Sequence, residues 1–209
     1  MRVLDLFCGA GGASMGYHQA WPDAEIVGVD IVPMPRYPFT FIQGDALTPQ
    51  FNLDDFDLIH ASPPCQEYSV TRHSHNITYP QLVEPVRELL QGHTHVIENV
   101  VGAPKANQAT LDGRNGVQLC GSMFGLKHTQ RHRWFETSFP TTHGWCNHQS
   151  QDVLNMYASR SRDAFRDRHG EAAGTIYRRD MGVEWMTLDE ALEAIPPAYT
   201  RFIAEQVAR

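Results

Sequence analysis

Short apolar runs, separated by turns and by amphipathic segments, constrain the fold of this chain more than any other feature. Strand-like runs cover residues 2–7, 25–30, 40–43, 58–61 and 95–99, and helix-like segments cover 13–20 and 81–90. Strand, helix and strand at this spacing form βαβ units, with helices packed on both faces of a parallel sheet. The sequence therefore predicts an α/β fold with a doubly wound, mostly parallel, Rossmann-like sheet.

Each predicted strand ends in a polar or glycine-rich segment. The first runs into CGAGG at 8–12, Asp30 ends the second, Asp45 follows the third, Cys65 follows the fourth, and Glu98 lies near the end of the fifth. In doubly wound sheets, ligands bind beyond the carboxyl ends of the strands. We therefore expect these side chains to share one ligand site.

The segment 5–12, DLFCGAGG, predicts a tight strand-to-helix turn. Its glycines allow the backbone to turn sharply and to approach a ligand closely, although a turn without a ligand is the simpler alternative. Asp30 offers an acceptor for ribose hydroxyls, and Asp45 offers one for an adenine amino group. Since the P-loop pattern GxxxxGK[ST] does not occur in the sequence, these acids favour an adenosine-bearing cofactor.

Cys65 and Glu98 are the candidate reactive groups. Cys65 follows Pro63 and Pro64, whose rings fix the backbone and would hold the thiol at the sheet edge. A lone cysteine is often a small buried hydrophobic residue, but the residues around this one are polar. A glutamate that closes an apolar strand is costly unless it is paired or reactive. As an acid, Glu98 could donate a hydrogen bond to a ring nitrogen; a paired strand-end carboxylate is the alternative.

Two arginines lie in QRHRWF, residues 130–135. At positions i and i+2 of an extended strand, Arg131 and Arg133 are predicted to point to the same side. There they would clamp a phosphate or the exocyclic oxygen of a base, whereas a solvated basic strand is the alternative.

The segment after residue 137 has no clear period through 138–180, which indicates a small inserted module or long loops. A short helix is predicted over 185–192, because Thr187 and Glu190 have the spacing of a capping box, and a last helix over 198–207. We therefore divide the chain into a core (1–137), a short insertion (138–182) and a C-terminal segment that returns to the core (183–209).

The positive charge is concentrated in the middle of the chain. The net charge is −7, but residues 101–179 carry eleven Lys and Arg against six Asp and Glu. Since phosphate binding depends on local charge, this segment favours a nucleic-acid partner, although a solvated basic helix face is an equal alternative.

The four cysteines show no CxxC spacing and are expected to be free thiols. His143, Cys146 and His148 are too closely spaced for a standard zinc cluster and lack an evident second pair, so we expect no metal. Without an apolar run of membrane-spanning length or room for a signal peptide before residue 2, a cytoplasmic protein without a membrane partner is expected.

DLFCGAGG, SPPCQ, ENV and QRHR, in this order, resemble the motifs of the cytosine-C5 DNA methyltransferases. Residues 119–126 resemble the segment before the last motif, and 185–199 resemble a shortened closing region. The resemblance implies S-adenosylmethionine as cofactor and a class I methyltransferase fold. The family usually has a large recognition domain before its closing motifs, whereas residues 138–182 leave room here for only a short recognition region. It also implies duplex DNA as partner, action as a monomer, and a prokaryotic or phage setting such as restriction-modification.

By this resemblance, Cys65 is the nucleophile that attacks C6 of a flipped cytosine, Glu98 holds the N3 side, and Arg133 with Arg131 holds the O2 side. The residues expected to bind the cofactor are Asp5, Leu6, Phe7, Cys8, Gly9, Gly11, Gly12, Asp30, Ile31, Asp45, Ala46, Ser62 and Pro63. The residues expected to contact nucleic acid are Gln66, Ser69, Arg160, Arg162, Arg166, Arg168, Arg178 and Arg179. An RNA cytosine-C5 methyltransferase, a catalytically silent partner that binds cofactor or DNA, and a donor of a group other than methyl are the alternatives.

Overall fold

The computed structural model describes residues 1–49, 51–64, 82–101, 115–142, 144–149 and 151–207. The strands in these ranges form one seven-stranded sheet in the order β3-β2-β1-β4-β5-β7-β6. They are β1 (Arg2–Leu6), β2 (Glu25–Asp30), β3 (Thr40–Gln43), β4 (Leu58–Ala61), β5 (His95–Asn99), β6 (Asn115–Leu119) and β7 (Arg133–Thr137).

The sheet is parallel except around β7. β1 pairs with β2 and β4, and β4 pairs with β5, all in parallel, whereas β7 is antiparallel to both β5 and β6. The apolar runs of the central strands are buried, as the burial of Val3, Leu4 and Ile59 shows. The strand order reverses between β1 and β4, which is where doubly wound sheets bind ligands. The predicted fold class is therefore confirmed.

The described helices flank this sheet and extend beyond it. They are α1 (Gly12–Ala20), α2 (Val83–Leu89), α3 (Ser159–His169), α4 (Ala173–Met181), α5 (Leu188–Glu193) and α6 (Pro197–Ala204). The capping box of α5 is formed by Thr187 and Glu190, as predicted. None of the helices in the described ranges is long and apolar enough to cross a membrane.

α3 and α4 lie where no regular element was predicted. α3 is rich in Arg and Asp and buries only Phe165, so it shows no apolar stripe in its sequence. α3, α4 and the segment that follows them pack in an apolar cluster that includes Leu154, Ile176 and Met186. Ala10, in the glycine-rich turn after β1, also belongs to this cluster. This cluster continues to Ala191, which is past the predicted boundary at residue 182.

α6 packs directly on α1, and glycine makes this contact possible. A Cβ atom at Gly16 would collide with Thr200 Oγ1 and with the carbonyl oxygen of Pro197. Thr200 Oγ1 donates a hydrogen bond of 2.8 Å to the carbonyl oxygen of Ala13. The C-terminal helix thus supports the helix that follows the glycine-rich turn.

Replacing Gly16 with alanine tests this packing. Helix propensity alone predicts that Gly16→Ala stabilises the protein by about 1 kcal/mol. The collision with α6 predicts instead a loss of about 1–3 kcal/mol in the free energy of unfolding, measured by urea denaturation. Gly44→Ala is the control, because a Cβ there would meet no atom within 4 Å. A more stable Gly16→Ala protein would contradict the close contact.

Candidate active site

The glycine-rich turn after β1 is held open by left-handed backbone conformations. Phe7 and Gly9 have φ angles of 58° and 49°. The amide of Gly9 donates a hydrogen bond of 2.9 Å to Asp30 Oδ2, and the amide of Val32 donates to Asp30 Oδ1. Asp30 therefore fixes the ends of β1 and β2 relative to each other.

Asp5, in β1, is hydrogen-bonded to the helix that follows this turn. Its side chain is fully buried, and Ser14 Oγ donates a hydrogen bond of 2.5 Å to Asp5 Oδ2. Ser14 Oγ also lies 2.6 Å from the hydroxyl of Tyr37. Burial raises the pKa of Asp5 to about 7, since the charged form is poorly solvated there. Among the described residues, Asp5 Oδ1 has no hydrogen-bond partner, so this oxygen can still accept a hydrogen bond.

The edge beside Asp30 fits an adenosine-bearing cofactor. Ile31 is 70% exposed and Val32 is 53% exposed, although both are apolar, so they offer an uncovered surface to a flat ring. The Asp30 carboxylate beside them can accept from ribose hydroxyls in addition to its two backbone donors. A Cβ at Gly9 would meet no atom within 4 Å, which leaves room for close approach of a ligand.

Several other residues predicted to bind the cofactor are buried or shape turns in this structure. Leu6, Cys8 and Ala46 are buried, and burial raises the pKa of the Cys8 thiol, which keeps it neutral. Asp45 accepts a hydrogen bond from the amide of Leu47, as expected of a residue that shapes a turn. Gly12 begins α1 and packs against the backbone of Ile195.

Glu98 and Arg133 form a buried ion pair at the carboxyl end of β5. Arg133 Nε lies 3.0 Å from Glu98 Oε1, and their side chains are 19% and 8% exposed. The contact is close but poorly aligned, because Glu98 Oε1 makes no hydrogen bond to a described residue. We treat it as an ion pair whose carboxylate oxygen still has capacity to bind a donor. Burial raises the pKa of Glu98, while Arg133, Arg131 and the Ser62 hydroxyl oppose this shift.

A chain of hydrogen-bonded polar groups runs from α1 to Ser62, just after β4. The hydroxyl of Tyr17 lies 2.9 Å from His60 Nδ1, and His60 Nε2 lies 2.9 Å from Ser62 Oγ. Burial lowers the pKa of His60 to about 3, so its ring is neutral and has one donor and one acceptor. If Tyr17 donates to Nδ1, then Nε2–H donates to Ser62, whose hydroxyl lowers the pKa of Glu98. His60 was not among the predicted site residues. Its position inside an apolar strand, where a histidine is unusual, could have indicated it.

Asn99 connects this site to the segment that leads to the predicted nucleophile. Its side-chain amide donates a hydrogen bond of 3.1 Å to the carbonyl oxygen of Pro63. The ends of β4 and β5 are thereby held together two residues before Cys65. Cys65 itself, with Gln66 and Ser69, lies outside the described residues.

The two arginines do not lie on one strand, so that prediction is wrong. Arg131 precedes β7 and has a φ of 42°, which breaks the alternation expected for a strand. Its guanidinium donates to the hydroxyl of Tyr177 and, at 2.8 Å, to the carbonyl oxygen of Leu192. Arg131 therefore joins the core to the C-terminal helices, while Arg133 alone pairs with Glu98.

Most of the arginines predicted to contact nucleic acid have partners within the protein. Arg162 and Arg178 donate to the carbonyl oxygens of Met156 and Met186. Arg166, Arg168 and Arg179 form exposed ion pairs with Asp163 and Asp167, with Asp152, and with Glu171. Arg160 is exposed and has no partner among the described residues. On α3, Arg160 and Arg168 lie on one side and Arg162 and Arg166 on the other, given 3.6 residues per turn.

The comparison with known families agrees with this geometry. Residues 1–108 match the family model of the C-5 cytosine-specific DNA methylases. The chain belongs to this family. It is therefore a methyltransferase that uses S-adenosylmethionine and acts at cytosine C5. No curated protein matches the chain.

Solved structures with the same fold span most of this methylase. The S. pombe Dnmt2 methyltransferase is 15% identical with a TM-score of 0.63, and the alignment covers 99% of this chain and 98% of that one. The methyltransferase EhMeth of Entamoeba histolytica is 11% identical with a TM-score of 0.60, covering 99% and 97%. A Spodoptera frugiperda DNMT2 mutant is 19% identical with a TM-score of 0.50, covering 72% and 53%. At these identities the likeness shows the fold.

We expect the Ser62 hydroxyl to lower the pKa of the Glu98 carboxyl group. Because its hydrogen bond favours the charged carboxylate, Ser62→Ala should raise the pKa of Glu98 further. The pKa is measured by NMR titration of ¹³C-labelled glutamate carboxyl groups, with the signal assigned from a Glu98→Gln protein. Ser159→Ala, on the exposed start of α3, is the control. An unchanged Glu98 titration in Ser62→Ala would show that the hydroxyl does not act on this carboxyl group.

Proposed function

We propose that this methylase transfers a methyl group to C5 of a flipped cytosine in duplex DNA, as a monomer, through a covalent bond to Cys65. The observation that carries the proposal is the pair of buried Glu98 and half-buried Arg133, at the same edge of the sheet as the Asp30 turn that fits the cofactor. Burying a carboxylate is costly, and here one oxygen still makes no hydrogen bond to a described residue. A cytosine would complete this environment, since its N3 and amino group can bond a carboxyl group.

Glu98 would act on the side of the cytosine ring that bears N3. Its raised pKa increases the fraction of Glu98 that is protonated at a given pH. The protonated acid would donate a hydrogen bond to N3, while its other oxygen would accept one from the exocyclic amine. Negative charge that develops on the ring is thereby offset. Arg133, which lies against the same carboxyl group, would bind the O2 oxygen.

Cys65 would supply the electrons that make C5 reactive. Its thiolate adds to C6, and the C5–C6 double bond becomes an electron-rich enamine whose charge Glu98 holds at N3. S-adenosylmethionine supplies an electrophilic methyl group when it is bound. C5, made electron-rich by the addition of Cys65, would take this methyl group, and the demethylated cofactor would be the leaving group. A base then takes the C5 proton, the double bond re-forms, and Cys65 leaves as the thiolate.

The target base must leave the helical stack, because C6 and C5 are inaccessible to a thiol inside a duplex. The hydrogen bond from Asn99 to Pro63 supports the segment that would carry Cys65 to the flipped base. We propose that α3 and α4 contact the phosphate backbone of the DNA. Arg160, on α3, is the first candidate for such a contact. Its charge is exposed and is not paired within the described part of the chain.

Trapping with 5-fluorocytosine tests the covalent step. Fluorine at C5 cannot be removed as a proton, so an adduct that forms before this step should persist through denaturing electrophoresis. We expect an adduct with duplex DNA that depends on cofactor and is lost in Cys65→Ser. We expect Glu98→Gln to slow its formation by about 10²–10⁴-fold, as for loss of a general acid.

Glu88→Gln on the exposed face of α2 is the matched control and should react like the wild type. A single-stranded RNA of the same sequence is the second arm, and preferential trapping of the RNA would replace DNA as the substrate. An adduct that forms equally well in Cys65→Ser would contradict the mechanism.

The salt dependence of DNA binding tests the role of Arg160. For duplex DNA, each lost phosphate contact lowers the slope of log K against log salt by about 0.9. Arg160→Ala is expected to reduce the slope by this amount, measured by fluorescence anisotropy. Arg179→Ala removes an equal charge that Glu171 already neutralises, so it should reduce the slope less. Equal slopes for wild type and Arg160→Ala would remove Arg160 from the interface.

A further inference from the structure

Four potential metal ligands from three segments of the chain converge beside β7. Cys120 follows β6 directly, His132 immediately precedes β7, and Cys146 and His148 belong to the segment 144–149. One ligand atom of each residue lies within 4.8 Å of those of the other three. Cys120 is buried, His132 is partly exposed, and the other two are exposed.

The distances between these atoms match those of a tetrahedral site. Cys120 Sγ lies 3.3 Å from His148 Nε2, and Cys146 Sγ lies 3.5 Å from His132 Nε2. Zinc binds sulfur at about 2.3 Å and nitrogen at about 2.0–2.1 Å, so tetrahedral angles place sulfur and nitrogen ligands roughly 3.5 Å apart. The His132 and His148 rings are nearly perpendicular, with centroids 5.1 Å apart, so both can direct a nitrogen to a common centre without overlap.

We propose that Cys120, His132, Cys146 and His148 bind one Zn²⁺ ion in a closed Cys₂His₂ site. Two thiolates and two imidazoles form a donor set that zinc prefers, whereas magnesium and calcium require oxygen ligands. Four protein ligands leave no open position for water or substrate, which makes the site structural rather than catalytic. Ser122 Oγ donates to Cys120 Sγ at 3.3 Å and would stabilise the thiolate from outside the coordination sphere.

The sequence did not reveal this site because its ligands are far apart in the chain. Cys146 and His148 were recognised, but the expectation of no metal depended on the missing second pair. Cys120 and His132 are that pair, and only the antiparallel pairing of β6 with β7 brings them together. In that pairing Leu119 lies opposite Arg133, so the residues next to them, Cys120 and His132, become neighbours.

The ion would have a definite role in the methylase. His132 stands between Arg131, which holds the C-terminal helices, and Arg133, which pairs with Glu98. Coordination of His132 would fix the backbone of both arginines. It would also anchor the segment 144–149, which otherwise contacts the core through a few polar bonds, such as Asn147 N to Ser122 Oγ. Zinc would thus replace part of the scaffold that a larger recognition region provides.

Metal analysis of the purified full-length chain tests the proposal. We expect one equivalent of zinc by inductively coupled plasma mass spectrometry after extensive dialysis. The cobalt-substituted protein should show the intense visible bands of a tetrahedral ion and a sulfur-to-cobalt charge-transfer band. Cys146→Ser and His148→Ala change exposed residues, and each should lose the metal. His93→Ala, in the turn before β5, is the matched control and should keep it.

Thiol chemistry gives a second readout that is independent of activity. Cys146 is exposed, so it should react rapidly with Ellman's reagent if it is free, but slowly until a chelator is added if it binds zinc. Wild-type protein without zinc, in which cobalt gives only the weak bands of an octahedral ion, would overturn the proposal. So would an intact mass that reveals a disulfide between Cys120 and Cys146 in the freshly purified protein.

Discussion

The burial of the Glu98 carboxyl group is the constraint on which the rest of the site depends. A buried carboxylate needs a partner, and removing one member of a buried ion pair costs about 3–5 kcal/mol. The antiparallel insertion of β7 next to β5 supplies that partner, because it brings Arg133 to within 3.0 Å of Glu98. A second buried pair, Arg87 with Glu136 at 2.6 Å, fastens α2 to the same strand. The strand that interrupts the parallel order therefore supplies one partner to each of these two ion pairs.

The interactions around Glu98 also explain how a small chain keeps its site in place. The polar chain from Tyr17 through His60 to Ser62 runs from α1 to the end of β4, and Asn99 joins β5 to Pro63. α1 is in turn held by α6 through the contact at Gly16, so the last helix of the chain supports the cofactor turn. Each connection links two elements that are distant in sequence. The glycine-rich turn after β1 and the Glu98–Arg133 pair are consequently parts of one packed unit.

The sequence was informative wherever burial on both faces produced continuous apolar runs. β2, β4 and β5 have the predicted bounds, and so does β3, although it is a largely exposed edge strand. Asp30 and Glu98 lie at or near strand ends as predicted, whereas Cys65 lies outside the described residues. The sequence was less informative where partners come from elsewhere in the fold: β6 is a short edge strand with few apolar residues, and α3 buries only Phe165. The left-handed turn at Arg131 depends on Tyr177 and Leu192, and the Cys₂His₂ cluster depends on strand pairing. Neither could be seen in a local pattern.

If this edge of the sheet directs methyl transfer to C5 of cytosine in DNA, the transferred methyl group must be found on that atom. The most direct test incubates the purified methylase with S-adenosylmethionine and either duplex DNA or RNA, digests each to nucleosides, and identifies the products by mass spectrometry. We expect 5-methyl-2′-deoxycytidine in the DNA digest, distinguished by its retention time from N4-methyl-2′-deoxycytidine. Methylation confined to RNA, or DNA methylated only at the exocyclic amine, would contradict this expectation.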